Sequence, residues 1–454
     1  MKFNSEQSIS TWKRRDLLAG SIGAVAAARM QGLIGTPTAQ AATGWNPSPR
    51  SGLPFWFGSG GNPTVMLGLM PPGRGVDMAT AFEGASTFAD AGSKVASNFA
   101  KAGWHRYLVD GSVVGLMWAS SPFCSDARFG PPSAWPAGSA SITPTTWLNT
   151  SAPPTYTGAE TPEERTTKQR RVWQMAADGW LDDVWHTKML VAKRDYFIRY
   201  GLTSLRIVLR AAHEPNLPVA WGATHWMRSY NIKALIPAVD GPMVGQALAR
   251  YNDIFLNTFG SKQVSISSDY AYLPDQLWTY WCPLKETWGG FDSRLFCPDN
   301  ARLVGPDYYD SWPASMTPSE LAKNFNQRTK QGWPIGIAAW LEWAKSIGKP
   351  LAVGEWGVWT KAKLTDGSRP ANQGWDNPVF IQGFLDFCLA NAADIAFVSY
   401  FNVDNSPAAD LPAHLIRTWP GMADNSVSCA FTPPGEVNRC SARALSQWMA
   451  DHVS

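Results

Sequence analysis

Leu205-Arg206-Ile207-Val208-Leu209-Arg210-Ala211-Ala212-His213-Glu214-Pro215-Asn216 reads as a buried β-strand that runs into a polar tip. Unbroken apolar, β-branched sequence marks a strand covered on both faces, as in a parallel sheet. Lys349-Pro350-Leu351-Ala352-Val353-Gly354-Glu355-Trp356-Gly357 repeats the pattern later in the chain. Each run delivers a glutamate at its end. Period-2 geometry places Arg206, Val208, Arg210, Ala212 and Glu214 on one face while the strand stays extended. Arginines are not spent on a helix-covered apolar side, so this face points inward, and Arg210 can donate to a carboxylate there. On the second run Leu351, Val353 and Glu355 share a face, and Gly354 permits close approach of backbone or substrate.

Similar runs recur outward from these two. Strands are expected at Pro63–Met70, Trp104–Val109, Val113–Ala119, Leu202–Arg210, Gln263–Tyr270, Ala301–Tyr309, Pro350–Glu355 and Ile395–Phe401. Helical patterns fall between most of them, at Met78–Ala102, Lys168–Tyr200, Met243–Phe259, Pro318–Lys330 with Ile335–Ile347, and Pro378–Ala392, with a last one at Ala442–His452. In Thr317-Pro318-Ser319-Glu320 the threonine caps, proline fits the first turn and glutamate reaches back. Strand alternating with helix predicts an α/β fold with a parallel sheet, and about eight repeats favour a closed (β/α)8 TIM barrel. Two long insertions, Ser120–Glu164 and Leu284–Asn300, interrupt the alternation, and the first follows a strand, which places it on the catalytic face. Gly58-Ser59-Gly60-Gly61 precedes the first expected strand, so it lacks the dinucleotide-binding context and reads as a loop.

Residues 1–41 read as an export signal. Lys13-Arg14-Arg15-Asp16-Leu17-Leu18 opens an alanine-rich apolar stretch ending at Ala39-Gln40-Ala41, a twin-arginine pattern with a small-residue cleavage site. Arg29 interrupts it, so it does not read as a membrane span. The expectation is a periplasmic or secreted protein, without stable membrane insertion once the signal is removed, whose residues 42–454 form one catalytic domain. The signal carries five basic and two acidic residues, which accounts for the whole chain's net charge of +3. The remainder is neutral, which argues against nucleic acid as a partner. A monomer is expected.

An oxidising destination permits disulfides among the six cysteines. Cys282 with Cys297, and Cys429 with Cys440, flank short loops and are the expected bridges. Cys388 sits in an apolar helical run and reads as a buried free thiol, and Cys124 has no assigned partner. No CxxC or HExxH spacing is present, so neither a metal nor a cofactor is expected. The 24 tryptophans exceed the usual share, and flat rings of this kind stack on sugars as well as filling cores.

Two carboxyls brought by separate strands to one barrel mouth are the equipment for cleaving a glycosidic bond. With the groups about 5–5.5 Å apart, one protonates the leaving oxygen while the other attacks the anomeric carbon. The acid must be neutral at working pH, and donors must keep the nucleophile ionised. His213-Glu214-Pro215-Asn216 after Arg210, then Gly305-Pro306-Asp307-Tyr308-Tyr309, then Gly354-Glu355-Trp356-Gly357, resemble the successive strand-end motifs of glycoside hydrolase family 26. That family belongs to a clan of retaining TIM-barrel enzymes known mainly for β-mannanases. The resemblance implies Glu214 on barrel strand four as acid/base and Glu355 on strand seven as nucleophile. It also implies Tyr309 holding the nucleophile, and His213 and Asn216 lining the cleft. Trp221, Trp356, Trp359 and Tyr400 are assigned to sugar stacking, with core packing as their alternative. The pattern departs from the family's at Asn216-Leu217-Pro218 and at Trp118-Ala119-Ser120, which bears on the sugar rather than on the retaining mechanism.

The expected function is therefore an exported retaining endo-β-glycosidase acting on a β-linked polysaccharide or oligosaccharide, β-1,4-mannan or a related β-glucan. The alternatives are a glycan-binding protein without hydrolysis, or a transglycosylase on the same scaffold. An exported oxidoreductase is weaker still, because the phosphate-binding glycine motif is missing.

Overall fold

The computed structural model describes residues 49–61, 63–83, 103–120, 170, 173–183, 185, 190–216, 232, 235–262, 270–285, 291–311, 313–315, 317–358, 377–402 and 440–453. The chain divides into two units, Met1–Gln40 and Ala41–Ser454, and all described residues belong to the second. Among them no helix is long and apolar enough to cross a membrane.

Among the described residues nine strands, all parallel, form one closed sheet: β1 (Trp56–Gly61), β2 (Met78–Glu83), β3 (Gly115–Ser120), β4 (Arg206–Ala211), β5 (Leu277–Trp281), β6 (Leu303–Val304), β7 (Tyr308–Asp310), β8 (Leu351–Val358) and β9 (Ile395–Asn402). The strands pair in sequence order from β1 to β6. β1 pairs with β9, β9 with β8, and β8 with both β6 and β7, which closes the ring. β6 and β7 are two pieces of the sixth barrel strand, so β8 is the seventh. This is the expected (β/α)8 barrel. Described helices are α1 (Pro63–Leu67), α2 (His105–Val109), α3 (Val191–Arg199), α4 (Pro237–Gly260), α5 (Pro318–Phe325), α6 (Ile337–Ser346), α7 (Pro378–Ala390) and α8 (Cys440–His452).

Alternation along the strands builds two cores. Trp56, Met78, Met117, Val208, Tyr280, Leu303, Ala352 and Phe397 fill the barrel interior. Their neighbours Phe57, Ala79, Trp118, Leu209, Trp281, Val304, Val353 and Val398 face the helices in a separate, larger core. Trp56 is the main filling of the interior. Its indole lies where a Cβ at Gly115 would come within 2.2 Å, so only glycine fits opposite it. The Thr317 cap forms as expected, its hydroxyl accepting from the Glu320 amide at 3.2 Å.

Several expectations are corrected. Pro63–Met70 and Trp104–Val109 contain the short helices α1 and α2, while Met78–Glu83, expected to open a helix, is strand β2. Met-Ala-Thr-Ala-Phe-Glu favours a helix intrinsically, but its pairing between β1 and β3 overrides that preference. Gly58-Ser59-Gly60-Gly61 is part of β1, not a loop. Gly58 belongs there because a Cβ would come within 3.0 Å of the Met78 carbonyl oxygen. The fifth strand is Leu277–Trp281, and most of the expected strand at Gln263–Tyr270 lies outside the described residues, as does nearly all of the Ser120–Glu164 insertion.

The Cys282–Cys297 bridge is absent, and both thiols are free. Cys282 belongs to the barrel interior and Cys297 packs on the helix-side core, so the barrel wall stands between two groups that a disulfide would hold within about 7 Å. Cys388 is a buried free thiol, as expected. Cys124 and Cys429 lie outside the described residues.

Candidate active site

β4 keeps its alternation through Arg210 and then breaks it. Ala212 and Glu214 have φ of 59° and 42°, left-handed values that cost a non-glycine residue roughly 1–3 kcal/mol. An extended tip would have carried Ala212 inward, but it packs with the helix-side core instead. The kink is what turns His213 and Glu214 over the barrel mouth. Glu355 arrives by a different device. Leu351 and Val353 face the helices, so plain alternation would have sent Glu355 outward as well. Between Val353 and Trp356 the register with β9 slips, which places an extra residue in β8. This bulge delivers Glu355 to the interior side. Leu351, Val353 and Glu355 therefore do not share a face, contrary to the expectation from an unbroken strand.

At the mouth Arg210, fully buried, joins two acids. Its Nη1 donates to Glu355 Oε1 at 2.5 Å and its Nη2 donates to Asp307. The Tyr309 hydroxyl donates to Glu355 Oε2 at 2.5 Å. His213 stands between the glutamates, with Nδ1 3.4 Å from Glu355 Oε1 and Nε2 4.0 Å from Glu214 Oε2. Asp307 also accepts from the Cys282 thiol at 3.1 Å and hydrogen-bonds to Glu214.

Burial and like charge separate the two glutamates. Desolvation, then the charges of Asp307 and Glu355, push Glu214 well above the usual carboxyl range, and its bond to Asp307 holds the proton further. Glu355 is also raised by desolvation and by Asp307, but Arg210 and Tyr309 pull it back to about 7. His213 is held well below its ordinary value, first by burial and then by the Arg210 charge, so the imidazole is neutral. Glu355 therefore ionises while Glu214 keeps its proton. That difference is the division of labour that acid and nucleophile need.

His213, Asp307 and Glu355 present ligand atoms within 4.8 Å of one another. Arg210 holds both carboxylates and supplies part of the positive charge a cation would bring, so the trio reads as a hydrogen-bond network.

Other expected residues have different places. Asn216 is buried, with Nδ2 donating to the Leu284 carbonyl at 2.8 Å and Oδ1 accepting from the Leu284 amide at 2.9 Å. Both ends of its amide are thus spent on clamping the chain after β5, not on lining a cleft. Trp356 is fully buried and stacks on Phe384 of α7 at 4.4 Å. Tyr400 is also fully buried, edge-on to Trp356 at 5.0 Å, with its hydroxyl accepting from the Val358 amide. Both are core aromatics, because an odd step on β8 or β9 carries them to the helix side. Trp221 and Trp359 lie outside the described residues.

Asp307, Cys282 and Lys285 are not among the site residues expected from sequence, Cys282 being read there as half of a bridge and Asp307 only as part of a motif. Asp307 is two residues before Tyr309, and this period-2 spacing was its one signal. Lys285 is buried, and its Nζ donates to the carbonyls of Tyr309 and Ser311 at 2.5 Å each. That ties the chain after β5 to β7, and burial lowers the amine to about 8.

No family model matches the chain, and no curated protein matches it. Among solved structures it is similar to a Cellulomonas fimi endo-β-1,4-mannanase double mutant, at 16% identity over 92% of this chain and 76% of that one, with a TM-score of 0.46. A GH26 β-mannanase from Bacteroides ovatus aligns at 13% identity over 87% and 88% of the two chains, TM-score 0.41. A GH5-4 broad-specificity endoglucanase from Ruminococcus flavefaciens aligns at 11% identity over 84% of each, TM-score 0.35.

Proposed function

We propose that this protein is a retaining β-glycosidase, with Glu214 as acid/base and Glu355 as nucleophile. One observation carries the reading. Two carboxyls, brought by a kinked strand end and a bulged strand to one barrel mouth, stand on either side of the His213 imidazole in unlike settings, Glu355 accepting from Arg210 and Tyr309 and Glu214 hydrogen-bonded to the carboxyl of Asp307. Glu355 attacks the anomeric carbon as the bond to the leaving oxygen breaks, and Glu214 gives that oxygen its proton. Water then attacks the glycosyl-enzyme, returning a proton to Glu214 and releasing Glu355. Arg210 and Tyr309 fix the nucleophile, and His213 spans the gap between the two acids. The substrate is proposed to be a β-linked polysaccharide, β-1,4-mannan or a related β-glucan, met outside the cytoplasm by a monomeric enzyme exported through its N-terminal signal.

Replacing Glu355 tests the reading. Glu355→Ala is expected to lose turnover of an activated aryl β-glycoside, and azide is expected to restore it as a glycosyl azide of inverted configuration. Normal turnover in that variant would overturn the assignment. Product analysis with wild-type protein on β-mannan, mixed-linkage glucan and xylan identifies the sugar.

A further inference from the structure

Asp307 is a carboxylate with three donors. Arg210 Nη2 reaches Oδ2, the Cys282 thiol reaches Oδ1, and Glu214 is hydrogen-bonded to it as well. Asp307 and Cys282 are both fully buried, so this arrangement has no competition from bulk water. Burial pushes the thiol well above its ordinary value, which keeps it as S–H, a donor and not a thiolate. Its position is built by two strands. Tyr280 and Cys282 follow one another on the inward face at the end of β5, and Gly354 in the β8 bulge leaves the space beside them. A Cβ at Gly354 would stand 3.0 Å from the Cys282 sulfur and 3.2 Å from Asp307 Oδ1. Room has been kept for this contact.

We propose that Cys282 is a positioning residue for the acid: by donating to Asp307, its thiol keeps the proton of the Glu214–Asp307 pair on Glu214. The proposal rests on the reading of Glu214 as general acid. A carboxylate that loses a donor becomes more basic. Without the thiol, Asp307 draws the shared proton toward itself, and the leaving oxygen faces an acid with nothing to give. The same donor acts after transfer. Once the O–H bond of Glu214 has broken and the leaving oxygen has taken the proton, two neighbouring carboxylates face each other, and Cys282 with Arg210 stabilises the inner one until water restores the proton.

Cys282→Ala and Cys282→Ser test it. A glycan with a poor leaving group needs the acid, whereas a dinitrophenyl glycoside does not. Cys282→Ala is therefore expected to lose on the order of tenfold more kcat/KM on the glycan than on the dinitrophenyl glycoside. Full deprotonation of the pair becomes harder, so the alkaline limb of the pH profile should move up by about half a unit. Cys282→Ser, which keeps a donor, should recover most of both effects. Equal loss on the two substrates with an unmoved limb would overturn the proposal and leave a packing role. A second readout does not depend on activity. The infrared difference spectrum of wild type minus Cys282→Ala isolates the Cys282 S–H stretch. It is expected at lowered frequency in wild type and to relax toward the free-thiol position in Asp307→Asn. A free-thiol frequency in wild type would sink the proposal. Absence of hydrolysis on every glycan with the bonded S–H band present would instead count against the glycosidase reading alone.

Discussion

Tyr309 and Arg210 approach Glu355 from different strands, and together they offset part of the burial and Asp307 charge that raise it. A nucleophile held at about 7 beside an acid held well above its ordinary range gives a bell-shaped profile. Activity should rise as Glu355 loses its proton through pH about 7, and fall at higher pH as Glu214 loses its own. Tyr309→Phe removes one donor from the ionised form, so the acidic limb should move up by about one unit. The measurement is kcat/KM against pH for both proteins, and an unmoved acidic limb would mean the hydroxyl does not support the carboxylate. Glu214→Gln removes the acid, and on a substrate with a poor leaving group the rate should fall by about 10²–10⁴-fold. The same variant should lose far less on a dinitrophenyl glycoside, and equal loss on both would remove Glu214 from the acid role.

Strand-end irregularities decide which side chains meet, and they also mark what sequence could and could not reveal. β4 and β8 were legible because their runs are largely apolar and β-branched, and Arg210 betrayed the inward face of β4 by its charge. β1 and β2 were not, since glycine and alanine carry little strand signal and only pairing with neighbours makes them strands. In an unbroken strand Glu355 would share the helix-facing side of Leu351 and Val353, and the bulge, invisible in a list of residues, is what brings it inside. Asp307 lay in view within Gly305-Pro306-Asp307, yet its importance depends on Cys282 and Arg210, which come from other strands. Two glycines separate site from scaffold at this scale. A Cβ at Gly305 would lie 1.8 Å from the Ala352 carbonyl oxygen, a contact between backbones that cannot relax, so Gly305→Ala should fail to fold or unfold at much lower denaturant. At Gly354 the nearest atoms are side-chain atoms of Cys282, Tyr280 and Asp307 at 3.0–3.2 Å, so a methyl can be accommodated by shifting them. Gly354→Ala is expected to fold with a cost of about 1–3 kcal/mol and to lose activity out of proportion, because the groups that yield are those around Asp307. Denaturant midpoints and kcat/KM measured on the same preparations check this, and undiminished activity in the Gly354→Ala variant would show that the cluster tolerates displacement.

Where β1 begins and β2 starts, another buried acid, away from the site, holds the barrel together. Asp77 is fully buried and accepts from the Ser51 amide at 3.0 Å, the Ser51 hydroxyl at 2.6 Å, the Phe57 amide at 2.8 Å and the Arg50 amide. It thus ties the chain entering β1 to the residue that precedes β2. Even with these donors, desolvation raises it from 3.8 to about 6. Asp310 is raised to about 6 and Glu355 to about 7, again chiefly by burial. A group whose folded value lies above its unfolded one binds more protons in the native state between the two. Its contribution is therefore fully present below the unfolded value and is lost as pH rises through the folded one. His213 works the other way, since burial keeps it neutral while the unfolded chain protonates below about 6.5. It is set against Asp77, Asp310 and Glu355, and against Asp307 and Glu214, which are shifted in the same direction as those three. The unfolding free energy should accordingly decline from pH about 4 to about 7, with Asp77 alone accounting for about 3 kcal/mol of the fall. Asp77→Asn cannot titrate and sets an amide against three backbone donors, so it should be less stable throughout and show a shallower slope over that window. Urea unfolding of wild type and variant at several pH values is the check. Parallel slopes would mean that Asp77 stays ionised from the unfolded to the folded state, and that its four donors fully offset its burial.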